Sequence, residues 1–400
     1  MKKKDDVVIV SAARTAIGDF GGALKDVKAY ELAALVIGAV IERAQLPKNI
    51  FDDVIFGDCL QSPKEASTAR TALLKAGLPP EVPGVTIQRQ CSSGMQALIF
   101  GVQQIKAGDS RSVIVGGTES MSNATYVNYD ARFGIRLQHS ELRDAAWDML
   151  HCGSELLGEP FIMGQTAENL AKRFSISRED QDAVSLRSHQ RAAEAMKAGK
   201  FEDEIIPVTV PQRRGAPRTF TTDEHVRAGL TIADLSKLKP VFNPTGTVTA
   251  GNSSGLNDGA AALIIMRRDY AGEFGLTPMA AVKASGVAGC DPKYMGLGPV
   301  PATRKALAKA GMTLQDIDLI ECNEAFAAQY LTVERELGLN PEITNVNGSG
   351  IGLGHPTGCT GARLIVSLIF EMARRNLSTG LATLCVGGGM GVATIIERES

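Results

Sequence analysis

Ser112-Val113-Ile114-Val115-Gly116-Gly117 follows a helical stretch, Ser92 to Ala107, that Gly108 closes. A short apolar run ending in glycines, just after a periodic helix, reads as a buried strand of an α/β unit. The same order returns later, with Gly361 to Arg375 as a helix and Ala382 to Gly389 as a strand ending in glycines. Working outward, Asp53-Val54-Ile55-Phe56-Gly57 and Ile317 to Cys322 read as strands. Tyr30 to Ala44, ending near Pro47, and Pro301 to Ala310, closed by Gly311, read as helices. Val7 to Val10 reads as the first strand. Leu46 and Met312 are 266 positions apart, and Gly116 and Gly387 are 271 apart. A near-constant offset predicts an internal duplication of one α/β unit.

The chain has 400 residues, which exceeds one compact core and agrees with two copies of a unit. Hydrophobic residues make up 44% and charged residues 22%, the balance of a globular protein that buries a core. A net charge of −2 supplies no general attraction to nucleic acid or acidic lipid. No apolar run is long enough to span a bilayer. The Met1-Lys2-Lys3-Lys4-Asp5-Asp6 start is followed by no signal-like apolar stretch, and Arg398-Glu399-Ser400 is no peroxisomal tripeptide. Seven cysteines with no CxxC pair suggest reduced thiols in the cytoplasm. Between the halves, about Ser120 to Gly255 is richer in charge, with Arg143-Asp144, Arg178-Glu179-Asp180 and Arg213-Arg214. Thr166 to Phe174 and Ser177 to Ala198 read as helices there, the second with Ser177 as its N-cap. This stretch reads as an insertion that shapes a ligand site.

Four segments carry chemistry. The first is Gln90-Cys91-Ser92-Ser93-Gly94, where a buried-looking strand, Val85-Thr86-Ile87, turns into a helix. Unpaired N–H groups and the dipole at a helix start favour a thiolate there. The second is Cys322-Asn323-Glu324-Ala325-Phe326-Ala327. The third runs from Asn345 to Gly358 as a glycine-rich loop holding His355. The fourth is Cys385-Val386-Gly387-Gly388-Gly389-Met390-Gly391. Too few residues follow these last glycines for a dinucleotide fold, so N–H donation to an oxyanion is their better use. Equivalent strand ends of a duplicated unit meet on one side of the sheet. Cys91, His355 and Cys385 would then converge as nucleophile, activating base and acid/base.

Together these segments resemble the thiolase family. Val10-Ser11-Ala12-Ala13-Arg14-Thr15-Ala16-Ile17-Gly18 and Ala250-Gly251-Asn252-Ser253-Ser254-Gly255-Leu256-Asn257-Asp258-Gly259-Ala260 match two further blocks, and the resemblance runs from about Val7 to Glu397. It implies duplicated halves in a five-layered α-β-α-β-α arrangement with an inserted loop domain. The halves would be 1–119 with 256–276, and 277–400, around a loop domain of 120–255. It implies reversible condensation of two acetyl-CoA to acetoacetyl-CoA, or thiolytic cleavage of a 3-ketoacyl-CoA, with a place in fatty acid metabolism such as β-oxidation. In the implied scheme Cys91 takes the acyl group, His355 activates it and Cys385 moves the proton at the reacting carbon. Asn323 and His355 form one oxyanion site, and the N–H groups of Cys91 and Gly387 the other. Met163, Ala250, Ser254, Leu256, Met295, Ala325 and Phe326 fall where coenzyme A or the acyl group is held. Coenzyme A is substrate, no metal or other cofactor is needed, and a homodimer or homotetramer is implied.

The chain departs from the family's habit at Gln88, at Ser349-Gly350-Ile351-Gly352, whose extra glycine predicts a looser histidine loop, and at Ile162, which bears on acyl-chain length. Two other readings are a decarboxylating ketoacyl synthase, against which Cys385 speaks, and a non-catalytic acyl-CoA scaffold, which needs no such trio.

Overall fold

The computed structural model describes Lys4 and residues 6–212 and 215–399. Most of the basic start and the Arg213-Arg214 pair lie outside the described residues. Nine strands of the described residues carry the architecture: β1 (Val7–Thr15), β2 (Asp53–Gly57), β3 (Gly84–Ile87), β4 (Ser112–Ser120), β5 (Asn257–Arg267), β6 (Ala280–Gly289), β7 (Leu319–Cys322), β8 (Thr379–Val386) and β9 (Met390–Arg398). They hydrogen-bond in the order β7-β8-β9-β6-β1-β5-β4-β2-β3. From the middle outward, one direction reads β1-β5-β4-β2 and the other β6-β9-β8-β7. Each half holds a parallel pair, β2 with β4 or β7 with β8, and an antiparallel return, β5 or β9. The expected duplication is therefore present in the hydrogen bonding itself. The halves join through Val8 opposite Ala281 and Ile9 opposite Ala280.

The helices that matter here are α1 (Ala29–Ala44), α2 (Ser93–Ala107), α3 (Ala145–His151), α4 (Met163–Arg173), α5 (Arg178–Lys197), α6 (Pro299–Ala310), α7 (Ala327–Leu337), α8 (Gly350–Leu353) and α9 (Thr357–Arg375). Alternation along the strands sends neighbouring side chains to different cores. Val8, Ile114 and Ile264 meet Leu32 and Val36 of α1 in one core. Ile9, Val113, Val115 and Leu263 meet Leu98 of α2, Leu364 and Leu368 of α9, and Leu384 and Val386 in a second. Leu381 and Ile395 meet Val300 of α6 and Tyr330 and Val333 of α7 in a third. Three cores fill the four interfaces of five layers, α-β-α-β-α, the second covering both faces of the middle layer of α2 and α9. Strands covered on both faces need no polar side, which is why they read as continuous apolar runs.

Several boundaries differ from the sequence reading. β3 is not buried: it is the end strand of the order, bonded only to β2, and Val85 is exposed. α9 starts at Thr357 rather than Gly361, because Pro356 occupies its N-cap and its glycines lie against α2. Within the expected glycine-rich loop, Gly350–Leu353 forms the helical turn α8. Between β4 and β5 the chain runs from Met121 to Leu256, while three glycines, Gly387–Gly389, suffice between β8 and β9. The helix capped by Ser177 is present, its hydroxyl accepting from the Asp180 N–H. No helix of the described residues is long and apolar enough to cross a membrane.

Candidate active site

The duplication puts Cys91 and His355 at equivalent places. Each lies two residues before the first helical residue of a central helix, Ser93 of α2 or Thr357 of α9. Each follows a residue in the left-handed region, Gln90 at φ 43° and Gly354 at φ 105°. A non-glycine residue there is uncommon and costs about 1–3 kcal/mol, so Gln90 is held by its surroundings. The two helix starts meet without side chains between them: a Cβ on Gly94 would sit 2.9 Å from the Gly358 carbonyl oxygen. β7 and β8 end beside them and deliver Asn323 and Cys385.

His355 is buried, and its environment selects one tautomer. The Thr360 hydroxyl donates to the Pro356 carbonyl at 2.8 Å, so it accepts from His355 Nδ1–H at 2.7 Å. Nε2 is then the bare nitrogen, and the Asn323 amide Nδ2 lies 3.4 Å from it. Burial, with Arg363 adding to it, pushes the imidazole down to about 3, so the ring is neutral. The His355 N–H is anchored on Asn257 Oδ1 at 2.8 Å. Asn323 Oδ1 is buried without a partner.

The N–H groups of Gly387 and of Cys91 itself face the Cys91 sulfur. The helix start was expected to favour a thiolate, and the structure overturns that for the resting site. Burial raises the thiol to about 11 and Glu119 adds to the rise, which the two N–H groups only partly offset. Cys385 is fully buried, and its thiol is also raised well above its ordinary value, first by burial and then by Cys91 and Cys322.

Cys385 packs in one cluster with Met163, Met295 and Ala325, against Cys152, Phe161 and Phe326. Ser254 N–H donates to the Ala325 carbonyl at 2.9 Å, Ser253 bridges Phe326, and Phe326 meets Phe242 edge-on at 6.2 Å. So Met163, Ser254, Met295, Ala325, Phe326 and Cys385 are brought together. Ala250 is instead exposed in a turn, and the Leu256 carbonyl accepts from the Phe20 N–H; neither joins this cluster.

The departures are tight rather than loose. Gly350 and Gly352 are buried: a Cβ on Gly352 would meet the Ser188 carbonyl oxygen of α5 at 2.7 Å, and one on Gly350 the Asn323 Oδ1 at 2.7 Å. The glycines permit close approach of α5 and Asn323 to this turn. The Gln88 amide donates to the Cys59 carbonyl at 3.2 Å, tying the strand to the loop before Cys91. Ile162 is buried and caps α4, its N–H donating to Gln165 Oε1. Three groups escaped the sequence reading. Thr360 orients His355. Glu119 accepts from the N–H groups of Cys59, Leu60 and Gly358 and from the Thr357 hydroxyl. Cys152 lies on Gly387. The first has a sequence signal, a hydroxyl one turn into the helix after His355. The other two come from strands and loops far away in sequence.

Two family models match this chain: the thiolase N-terminal domain over residues 7–269 and the thiolase C-terminal domain over 276–398. An acetyl-CoA acetyltransferase of Cupriavidus necator is 49% identical over 399 residues, covering 98% of this chain and all of that protein. A crystal structure of the Bacillus anthracis acetyl-CoA acetyltransferase superposes with a TM-score of 0.96 at 52% identity, covering 98% of both chains. Human mitochondrial 3-ketoacyl-CoA thiolase, in complex with CoA, superposes at 0.94 with 44% identity, again over 98% of both chains.

Proposed function

The chain belongs to the thiolase family and is an acyltransferase of that type, and we propose that Cys91, His355, Cys385, Asn323 and Gly387 carry its reaction. What supports the assignment is that Cys91, with two N–H groups facing its sulfur, and His355, with Nε2 left unprotonated by Thr360, stand at equivalent places before two helix starts that touch each other.

In cleavage, the 3-keto carbon of the substrate approaches Cys91. The thiol proton passes to His355 Nε2 as sulfur bonds to carbon, and the carbonyl oxygen becomes an oxyanion at the N–H groups of Cys91 and Gly387. Each such donor is worth about 3 kcal/mol. The bond between C2 and C3 breaks, the enolate of the departing thioester collects the Cys385 proton, and the acyl group stays on Cys91. The enolate oxygen is held by His355 Nε2–H and by a water on the unpartnered Asn323 Oδ1. Coenzyme A then gives its thiol proton to Cys385, attacks the acyl carbon and leaves with it, and the Cys91 thiolate takes the proton back from His355. Condensation is this sequence reversed. Raised thiols and a lowered imidazole suit it, since every resting group is neutral until substrate charge develops.

Coenzyme A enters as substrate, along the contact of Ser254 with Ala325 and Phe326, and no further cofactor takes part. The native protein is a homo-oligomer and works in the cytoplasm, where its free cysteines stay reduced. Cys91→Ala should lower CoA-dependent cleavage of acetoacetyl-CoA by at least ~10³-fold. Activity within tenfold of the native enzyme would sink the assignment.

A further inference from the structure

Cys152 ends α3 in the left-handed conformation, φ 48° and ψ 37°, which a cysteine rarely adopts. Its sulfur lies over the loop that faces Cys91. A Cβ built on Gly387 would be 2.3 Å from it, and the Gly388 N–H is directed at it. The thiol donates to the Met149 carbonyl at 3.2 Å and lies 3.7 Å from Met163 Sδ. Burial raises it to about 12, so at neutral pH it is a neutral thiol whose contribution is its volume.

Cys152 stands between two neighbourhoods. One is the packed cluster of Cys385, Met163, Met295 and Ala325, which Cys152 touches. The other is a cleft of about 320 Å³ lined by Cys59, Gln88, Gln90, Met149 and Cys152. Gln90 precedes Cys91 directly, and its carbonyl accepts from the Cys59 thiol at 3.1 Å. An acyl group on Cys91 has its oxygen turned to the N–H groups of Cys91 and Gly387. Its first carbons then lie beside Gly387, which the Cys152 sulfur covers.

We propose that Cys152 determines the acyl length this enzyme accepts, by setting the width of the passage from Cys91 to the cleft between Gln90 and Met149. The inference rests on the reading that Cys91 carries the acyl group. The substrates it selects are short 3-ketoacyl-CoA thioesters with unbranched tails. The carboxamides of Gln88 and Gln90 and the carboxylate of Asp148 on its wall favour a tail too short to need a continuous apolar sleeve.

The test is the ratio of kcat/KM for 3-ketooctanoyl-CoA to that for acetoacetyl-CoA, measured in the native enzyme, Cys152→Ala and Cys152→Leu. One methylene in a fitted pocket is worth roughly tenfold or more in this quantity. Alanine should raise the ratio at least fivefold and leucine lower it at least tenfold, on the same scale. Ratios within twofold of native in both variants would overturn the proposal, as would movement of both in one direction. Mass spectrometry after mixing with acetyl-CoA separates the two readings. An acetyl adduct on Cys91 with unmoved ratios removes the role of Cys152 alone. The lack of an adduct removes the underlying assignment.

Discussion

Neither Cys91 nor His355 is charged in the resting site, and both owe this to burial. A helix start does not ionise this half-buried thiol, because two N–H groups offset only part of the solvation that burial removes. The site instead stores its capacity in geometry: one tautomer, one bare nitrogen, and N–H groups aimed at the sulfur. Thr360 therefore has more weight than its side chain suggests. Thr360→Val keeps the shape and removes the acceptor for His355 Nδ1–H, freeing the proton to settle on Nε2. A general base contributes about 10²–10⁴-fold, and kcat should fall by ~10² with KM little changed. Thr360→Ser should restore most of the loss, and a valine variant as fast as native would exclude the tautomer role. Cys91, His355, Cys385 and Asn323, the residues proposed to react, stand out in the chain because the chemistry asks for few residue types. Thr360, Glu119 and Cys152 are not, since a supporting contact can come from any element that packs there.

At the scale of elements, the site exists because α2 and α9 start within touching distance of each other and of β4. Glycines make this possible. A Cβ on Gly117 would lie 2.1 Å from the Gly358 carbonyl oxygen, and one on Gly361 2.5 Å from the Met95 nitrogen. Gly117→Ala should push the start of α9 away, costing about 1–3 kcal/mol through overpacking. A clear drop in melting temperature together with a lower kcat is expected, whereas unchanged melting would show that the helices have room to part. The long helices and central strands were readable from periodicity and glycine punctuation. The exposure of β3 was not, because an end strand and a covered strand share the same short apolar look. The close packing of Gly350–Gly352 was equally hidden. Glycine permits both looseness and close contact, and only Ser188 and Asn323, lying against it, decide which.

Over the whole molecule, the segment between Tyr126 and Leu157 stands apart, exposing Phe133, Leu137, Leu142, Leu156 and Leu157. Exposed apolar side chains on one segment suit association, and under the proposed homo-oligomer a second copy of the chain is the occupant. Light scattering should find a multimer in the native protein and a smaller particle in the Leu156→Glu, Leu157→Glu double variant; a native monomer at micromolar concentration would remove the reading. The amino-acid sequence by itself determined the α/β class, the duplication and the family, and it singled out the side chains proposed to react. These depend on local periodicity and on chemistry that few residues can perform. Only the tertiary structure decided that the resting thiol is neutral, which tautomer His355 holds, that the glycine-rich turn is closely packed, and that Cys152 covers Gly387. Each of those depends on which distant atoms exclude water or supply a partner, and that is a property of packing.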